Sequence, residues 1–117
     1  MEKLKDHHAC SLRIMAIHDT MDVLSGKWKI TILSSLGFGK KRYSDILKEV
    51  TGISGKMLSR ELKDMEMNLL VKRTVLDTQP ITVHYELTPY CSNLMPIIQS
   101  LAEWGTEHRK RIIETMR

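Results

Sequence analysis

The residues with the plainest chemical purpose lie between Ser54 and Lys63. At about 100° per residue, Leu58, Leu62, Met65 and Leu69 share one narrow arc of a helix. Lys56, Arg60 and Lys63 fall on the opposite arc, with Met57 and Ser59 on its flanks. The apolar arc needs a core, and the cationic arc suits a polyanion or water. A DNA major groove about 12 Å wide admits one helix, whose first turns can reach base edges. On such a helix Arg60 can pair with guanine through two hydrogen bonds. Ser59 and Met57 can touch bases by hydrogen bond or apolar contact, and Lys56 and Lys63 suit phosphate. Ser54 caps the helix start and belongs to the same contact set. The plainer reading is a surface helix whose lysines keep the protein in solution.

Other chemistry is scarce. Two cysteines, Cys10 and Cys91, cannot build a disulfide framework or a four-sulfur zinc site. The five histidines lack ligand spacing, so neither a metal nor another cofactor is expected. There is no glycine-rich phosphate loop, no nucleophile beside a base and no recognisable carboxylate pair, which argues against an enzyme.

The elements that must hold the two-faced helix follow from periodicity and turn chemistry. Ile14, Ile17, Met21 and Leu24 line one side of a first helix that stops near Ser25-Gly26. A second helix carries Trp28, Ile32, Leu33 and Leu36 and ends at Gly37 and Gly39. Tyr43 sits in a short extended piece, and Ser44 is placed to cap a third helix bearing Ile46, Leu47 and Val50. Thr51-Gly52-Ile53-Ser54 then forms a tight turn into the two-faced helix.

Beyond Leu70 the period changes. Val71 to Leu76 and the alternating Ile81, Val83, Tyr85, Leu87 make a β-hairpin with one face buried, turning through residues 77–80. Thr88-Pro89 opens a long last helix carrying Leu94, Ile97, Ile98, Leu101, Trp104 and Ile112, which Pro96 should kink. Two short helices joined by a glycine turn, with a basic hairpin after them, predict a mainly α (α+β) winged helix-turn-helix. In the hairpin, Arg73 and the tip residues Thr78, Gln79 and Thr82 are placed to meet the DNA backbone or minor groove. Trp28 and Trp104 read as core or interface aromatics.

Charge supports this. The net charge is +4, and residues 39–73 hold nine basic and five acidic side chains, so that stretch carries the whole excess. The length of 117 residues suits one domain. No apolar run approaches the roughly 18 residues of a membrane span, and the polar start shows no signal peptide. The expected location is therefore cytoplasmic, without membrane contact.

Asp22-Val23-Leu24-Ser25-Gly26-Lys27-Trp28-Lys29, Gly52-Ile53-Ser54 with Lys56-Met57-Leu58, and Tyr85-Glu86-Leu87-Thr88-Pro89 resemble the HxlR family of winged-helix regulators. Leu94-Met95-Pro96-Ile97-Ile98 and Glu103-Trp104-Gly105 match in the same order. The resemblance implies a sequence-specific transcription regulator that binds double-stranded DNA as a homodimer through its first and last helices. The chain then divides into a flexible start (1–11), dimerisation helices (12–25 and 89–115) and a helix-turn-helix with wing (27–88), all in one domain spanning 1–117.

Two departures stand out. Met15 occupies the place of the family's Cys-Pro, with Cys10-Ser11 further upstream, and the wing keeps Pro80 but not the second proline and basic residue. Some relatives resemble thiol switches, which makes Cys10, with His7 and His8 nearby, the candidate redox residue. Cys91 reads as a small buried side chain. The eight methionines suit helix packing, and a methionine-lined pocket for a small-molecule effector between subunits is the alternative they allow. The competing function is a winged-helix protein-interaction module whose basic face binds an acidic partner.

Overall fold

The computed structural model describes residues 2–117, with side chains from Asp6 onward. Its helices are α1 (Glu2–Val23), α2 (Lys29–Leu36), α3 (Tyr43–Glu49), α4 (Gly55–Met67), α5 (Pro89–Ser92) and α6 (Met95–Thr115). Strands β1 (Lys41–Arg42), β2 (Val71–Leu76) and β3 (Thr82–Leu87) form an antiparallel sheet in the order β1-β3-β2. The wing register runs from Val71 opposite Leu87 to Leu76 opposite Thr82, and Arg42 pairs with His84. This is the winged helix-turn-helix that the periodicity predicts.

The core gathers where α2, α3 and α4 meet. Ile32, Leu33, Ile46, Leu58, Leu62 and Met65 are fully buried there, joined by Val71 and Tyr85 from the sheet and Cys91 and Ile98 from the C-terminal helices. Each fully buried aliphatic side chain contributes about 1.5–3 kcal/mol, so this cluster dominates the fold's stability.

Several boundaries differ from the sequence pattern. Arg42, not Ser44, precedes α3, because pairing with His84 holds Arg42 extended and the helix starts directly after it. Leu69 lies beyond α4 rather than on its buried arc. It adopts φ +63° and is 68% exposed, while Leu70 N–H bonds the Met65 carbonyl and Leu69 N–H bonds that of Glu66. Those two bonds make a Schellman ending, with leucine where glycine is usual.

Pro96 does not kink one long helix. The chain ends α5 at Ser92 and starts α6 at Met95, placing the proline in the first turn, where no N–H is needed. Thr88 caps α5 as expected, its hydroxyl accepting from Cys91 N–H at 3.1 Å. Ile81 stands 67% exposed at the wing tip, outside the alternation of β3.

The N-terminal stretch read as flexible up to residue 11 is helical from Glu2. Along α1 and α6 the apolar stripes face outward. Ile14, Ile17 and Met21 on α1 and Ile97, Leu101 and Trp104 on α6 are each more than half exposed. The radius of gyration is 18.0 Å, against about 13 Å for a compact domain of this length. Among the described residues, the outward stripes of these two helices meet no partner.

Candidate nucleic-acid interface

Helix α4 begins where the turn lets it. Gly52, at φ +91°, reverses the chain after α3, and Ser54 in extended backbone accepts from Met57 N–H at 3.1 Å. That bond satisfies one of the free donors at the helix start. Leu58, Leu62 and Met65 then bury one face, while Lys56, Ser59, Arg60 and Lys63 are exposed on the other and Met57 is half-buried. The cationic face of the sequence pattern is therefore presented outward as a unit.

Tyr43 fastens the first turns of α4 to the start of α3. Its phenol donates to the Gly55 carbonyl at 2.7 Å and lies 3.1 Å from Ser59 Oγ. A Cβ on Gly55 would stand only 3.2 Å from that phenolic oxygen, so this approach favours glycine. The phenol has one proton. With that proton given to Gly55, the Ser59 hydroxyl donates to Tyr43 and keeps only acceptor capacity toward the groove.

A cleft of about 500 Å³ separates α4 from the wing, lined by Arg42, Ser44 and Ser59 on one side and Arg73, Ile81 and Thr82 on the other. Arg42 and Ser44 line this cleft, a place the sequence pattern did not give them. Arg42 had been visible only as one of nine cations, and its place opposite the wing depends on β1 pairing with β3. At the wing tip, Thr78 donates to the Pro80 carbonyl at 2.7 Å and lies 3.1 Å from the Thr82 hydroxyl. These two threonines close the tip on itself, whereas Gln79 beside them is exposed.

Ion pairs brace this surface from behind. Lys41 pairs with Glu49, which also accepts from Ser35 Oγ at 2.6 Å, joining α2, β1 and α3. The Lys41 and Ser35 hydrogen bonds hold the Glu49 carboxyl below its ordinary pKa of 4.5. Lys29 is buried, with Nζ 2.8 Å from Glu61 Oε2 and 3.1 Å from Asp64 Oδ2. The Glu61 contact is short but poorly aligned, leaving Oε2 an ion-pair partner without a formal hydrogen bond. Burial alone would lower the Lys29 pKa, but the two carboxylates outweigh it and hold the ammonium above its ordinary 10.5.

Among the described residues no cluster of histidine, cysteine or carboxylate side chains could hold a metal ion, and no helix is long and apolar enough to cross a membrane. Cys10 is exposed on α1, whereas Cys91 is buried and burial pushes its thiol pKa up. Cys91 floors a groove of about 350 Å³ between α1, α5 and α6, walled by Val23, Leu24, Leu70, Leu94 and Ile97. None of the described methionines lines it.

The family model described as HxlR-like helix-turn-helix matches residues 23–113. The uncharacterized HTH-type transcriptional regulator YtcD of Bacillus subtilis (strain 168) is 36% identical over 98 residues, covering 84% of this chain and 78% of its own. A regulator of Methanothermobacter thermautotrophicus is 34% identical over 100 residues, covering 86% and 72%. Among solved structures, the redox regulator HypR in its reduced form superposes with a TM-score of 0.79 at 31% identity, covering 85% of this chain and 98% of HypR. The reduced form of the transcriptional regulator YodB from Bacillus subtilis superposes with a TM-score of 0.68 at 32% identity, covering 76% and 87%.

Proposed function

The chain belongs to the HxlR-like helix-turn-helix family, and from that premise we propose that it regulates transcription by reading double-stranded DNA as a homodimer. The observation that carries this reading is α4, whose polar face stands exposed beside a two-arginine cleft while its other face is buried. The first turns of α4 enter the major groove. Arg60 reads guanine, Ser59 accepts from a base amino group, and Met57 makes apolar contact. Ser54, Lys56 and Lys63 meet phosphate, and so do Arg42 and Arg73 across the cleft. Gln79, with Thr78 and Thr82 behind it, reaches the backbone or minor groove from the wing.

The homodimer is supported by the outward apolar stripes of α1 and α6, since exposed contiguous apolar surface of this kind marks an interaction site. Binding to the DNA upstream of the protein's own gene should weaken as salt rises, with log K falling by about 0.9 per phosphate contact against log salt. A gel shift across a salt series measures it. No retained duplex, together with capture of an acidic protein on the same face, would replace DNA with a protein partner.

The second reading concerns regulation. HypR is a redox regulator, YodB has structures in a reduced and a diamide-treated form, and Cys10 is an exposed thiol on α1. A redox signal is read at Cys10 rather than at the buried Cys91. Diamide should change operator affinity in wild type and leave a Cys10→Ser variant unaffected; an identical response in both excludes Cys10.

A further inference from the structure

The buried ammonium of Lys29 joins parts of the molecule that have different tasks. Lys29 is the first residue of α2, directly after the short link from α1. Its Nζ lies 3.4 Å from the Ser25 carbonyl in that link and contacts both Glu61 and Asp64 on α4. Glu61 and Asp64 are three residues apart, so they share one helix face and grip one cation together. The neighbouring Trp28 ring lies against the turn, 3.7 Å from where a Cβ on Gly52 would be. The link that follows α1 is thus tied to the turn by Trp28 and to α4 by Lys29.

Packing alone does not call for a lysine here. Replacing a buried ion pair by apolar side chains of similar volume is often neutral or stabilising, and such pairs are best attested as fixing one arrangement among several. Apolar contacts let a helix roll or slide; a cation gripped by two carboxylates and a carbonyl does not.

On the reading of the protein as a DNA-binding dimer, we propose that Lys29, held by Ser25, Glu61 and Asp64, is the positioning residue that sets α4 relative to α1 and so fixes the half-site spacing the dimer accepts. The leverage is large. With recognition helices about 34–36 Å apart, each head stands roughly 17 Å from the axis, and a tilt of about 10° moves it by about 3 Å, close to one base-pair step. Lys29 touches no base, and its effect falls on the relation between the two heads.

The test compares wild type with the Lys29→Met/Glu61→Leu double variant, which replaces the most buried pair by apolar volume and leaves only the half-exposed Asp64 unpaired. The probes are a two-half-site duplex selected by the wild type from a randomised library, the same duplex with one base pair inserted between half-sites, and a single half-site. Sedimentation and thermal denaturation first establish that the variant is a folded dimer. The variant should bind the single half-site within about twofold of wild type yet lose about tenfold or more on the full duplex, because the second contact is no longer pre-aligned. Its discrimination against the inserted base pair should shrink. Equal losses on half-site and full duplex, or unchanged spacing discrimination, would overturn the assignment. A wild type that selects no duplex would instead remove the DNA-binding reading itself, an outcome seen before any variant is compared.

Discussion

At the scale of single residues, the proposed DNA reading gives the exposed face of α4 two kinds of contact. Arg60→Ala should weaken binding to the selected site by about 1–3 kcal/mol and relax preference at one base pair, because a bidentate base contact is lost. Lys63→Ala should weaken all sequences alike and lower the salt slope by about one unit. Affinities on matched and scrambled duplexes check both. The Lys41–Glu49 pair offers a pH test. Glu49 has its pKa held below 4.5 by its partners, so its contribution to stability is present above that value and is lost as pH falls through the lowered one. A carboxyl chemical-shift titration should place the Glu49 midpoint below 4.5, and Lys41→Met should return it toward the ordinary value. Lys29 runs the opposite way: its pKa is raised, so the stability that its own protonation contributes is present below 10.5 and is lost as pH rises through the raised value.

At the scale of elements, local chemistry was legible where a pattern repeats within one segment and illegible where two segments must meet. The buried arc of α4, the Gly52 turn and the Ser54 and Thr88 caps follow from spacing and side-chain type alone. The cleft did not, since Arg42 and Ser44 face the wing only once β1 pairs with β3, across some forty residues of chain. Nor did the Lys29 grip, because nothing in a lysine at a helix start announces carboxylates about two turns into another helix. The end of α4 misled for a different reason: Leu69 continues the apolar period, yet tertiary bonds to Thr88 hold its carbonyl and that of Leu70 in a left-handed exit. That exit costs leucine about 1–2 kcal/mol, more than the roughly 0.5–1 kcal/mol of extra chain entropy glycine would lose. Leu69→Gly should therefore stabilise the protein by about 0.5–1 kcal/mol, while Leu69→Val should destabilise it, both read from urea denaturation midpoints.

At the scale of the whole molecule, the outward stripes of α1 and α6 decide how the chain behaves in solution. Ile17 and Leu101 stand on opposite stripes and are each about half exposed, so a charge at either would be buried unpaired in the proposed dimer. Ile17→Asp or Leu101→Asp should shift the protein to monomer in sedimentation equilibrium and leave the melting of the α2–α4 core nearly unchanged, because neither side chain belongs to that core. An unaltered dimer in both variants would move the interface elsewhere. The same stripes carry a consequence for the cell. If two reading heads come together only through these helices, promoter occupancy at low expression rises with roughly the square of monomer concentration rather than in proportion to it. Halving gene dosage would then cut occupancy by more than half, giving the regulator a threshold that comes from the unpaired sides of two helices and not from its contact with DNA.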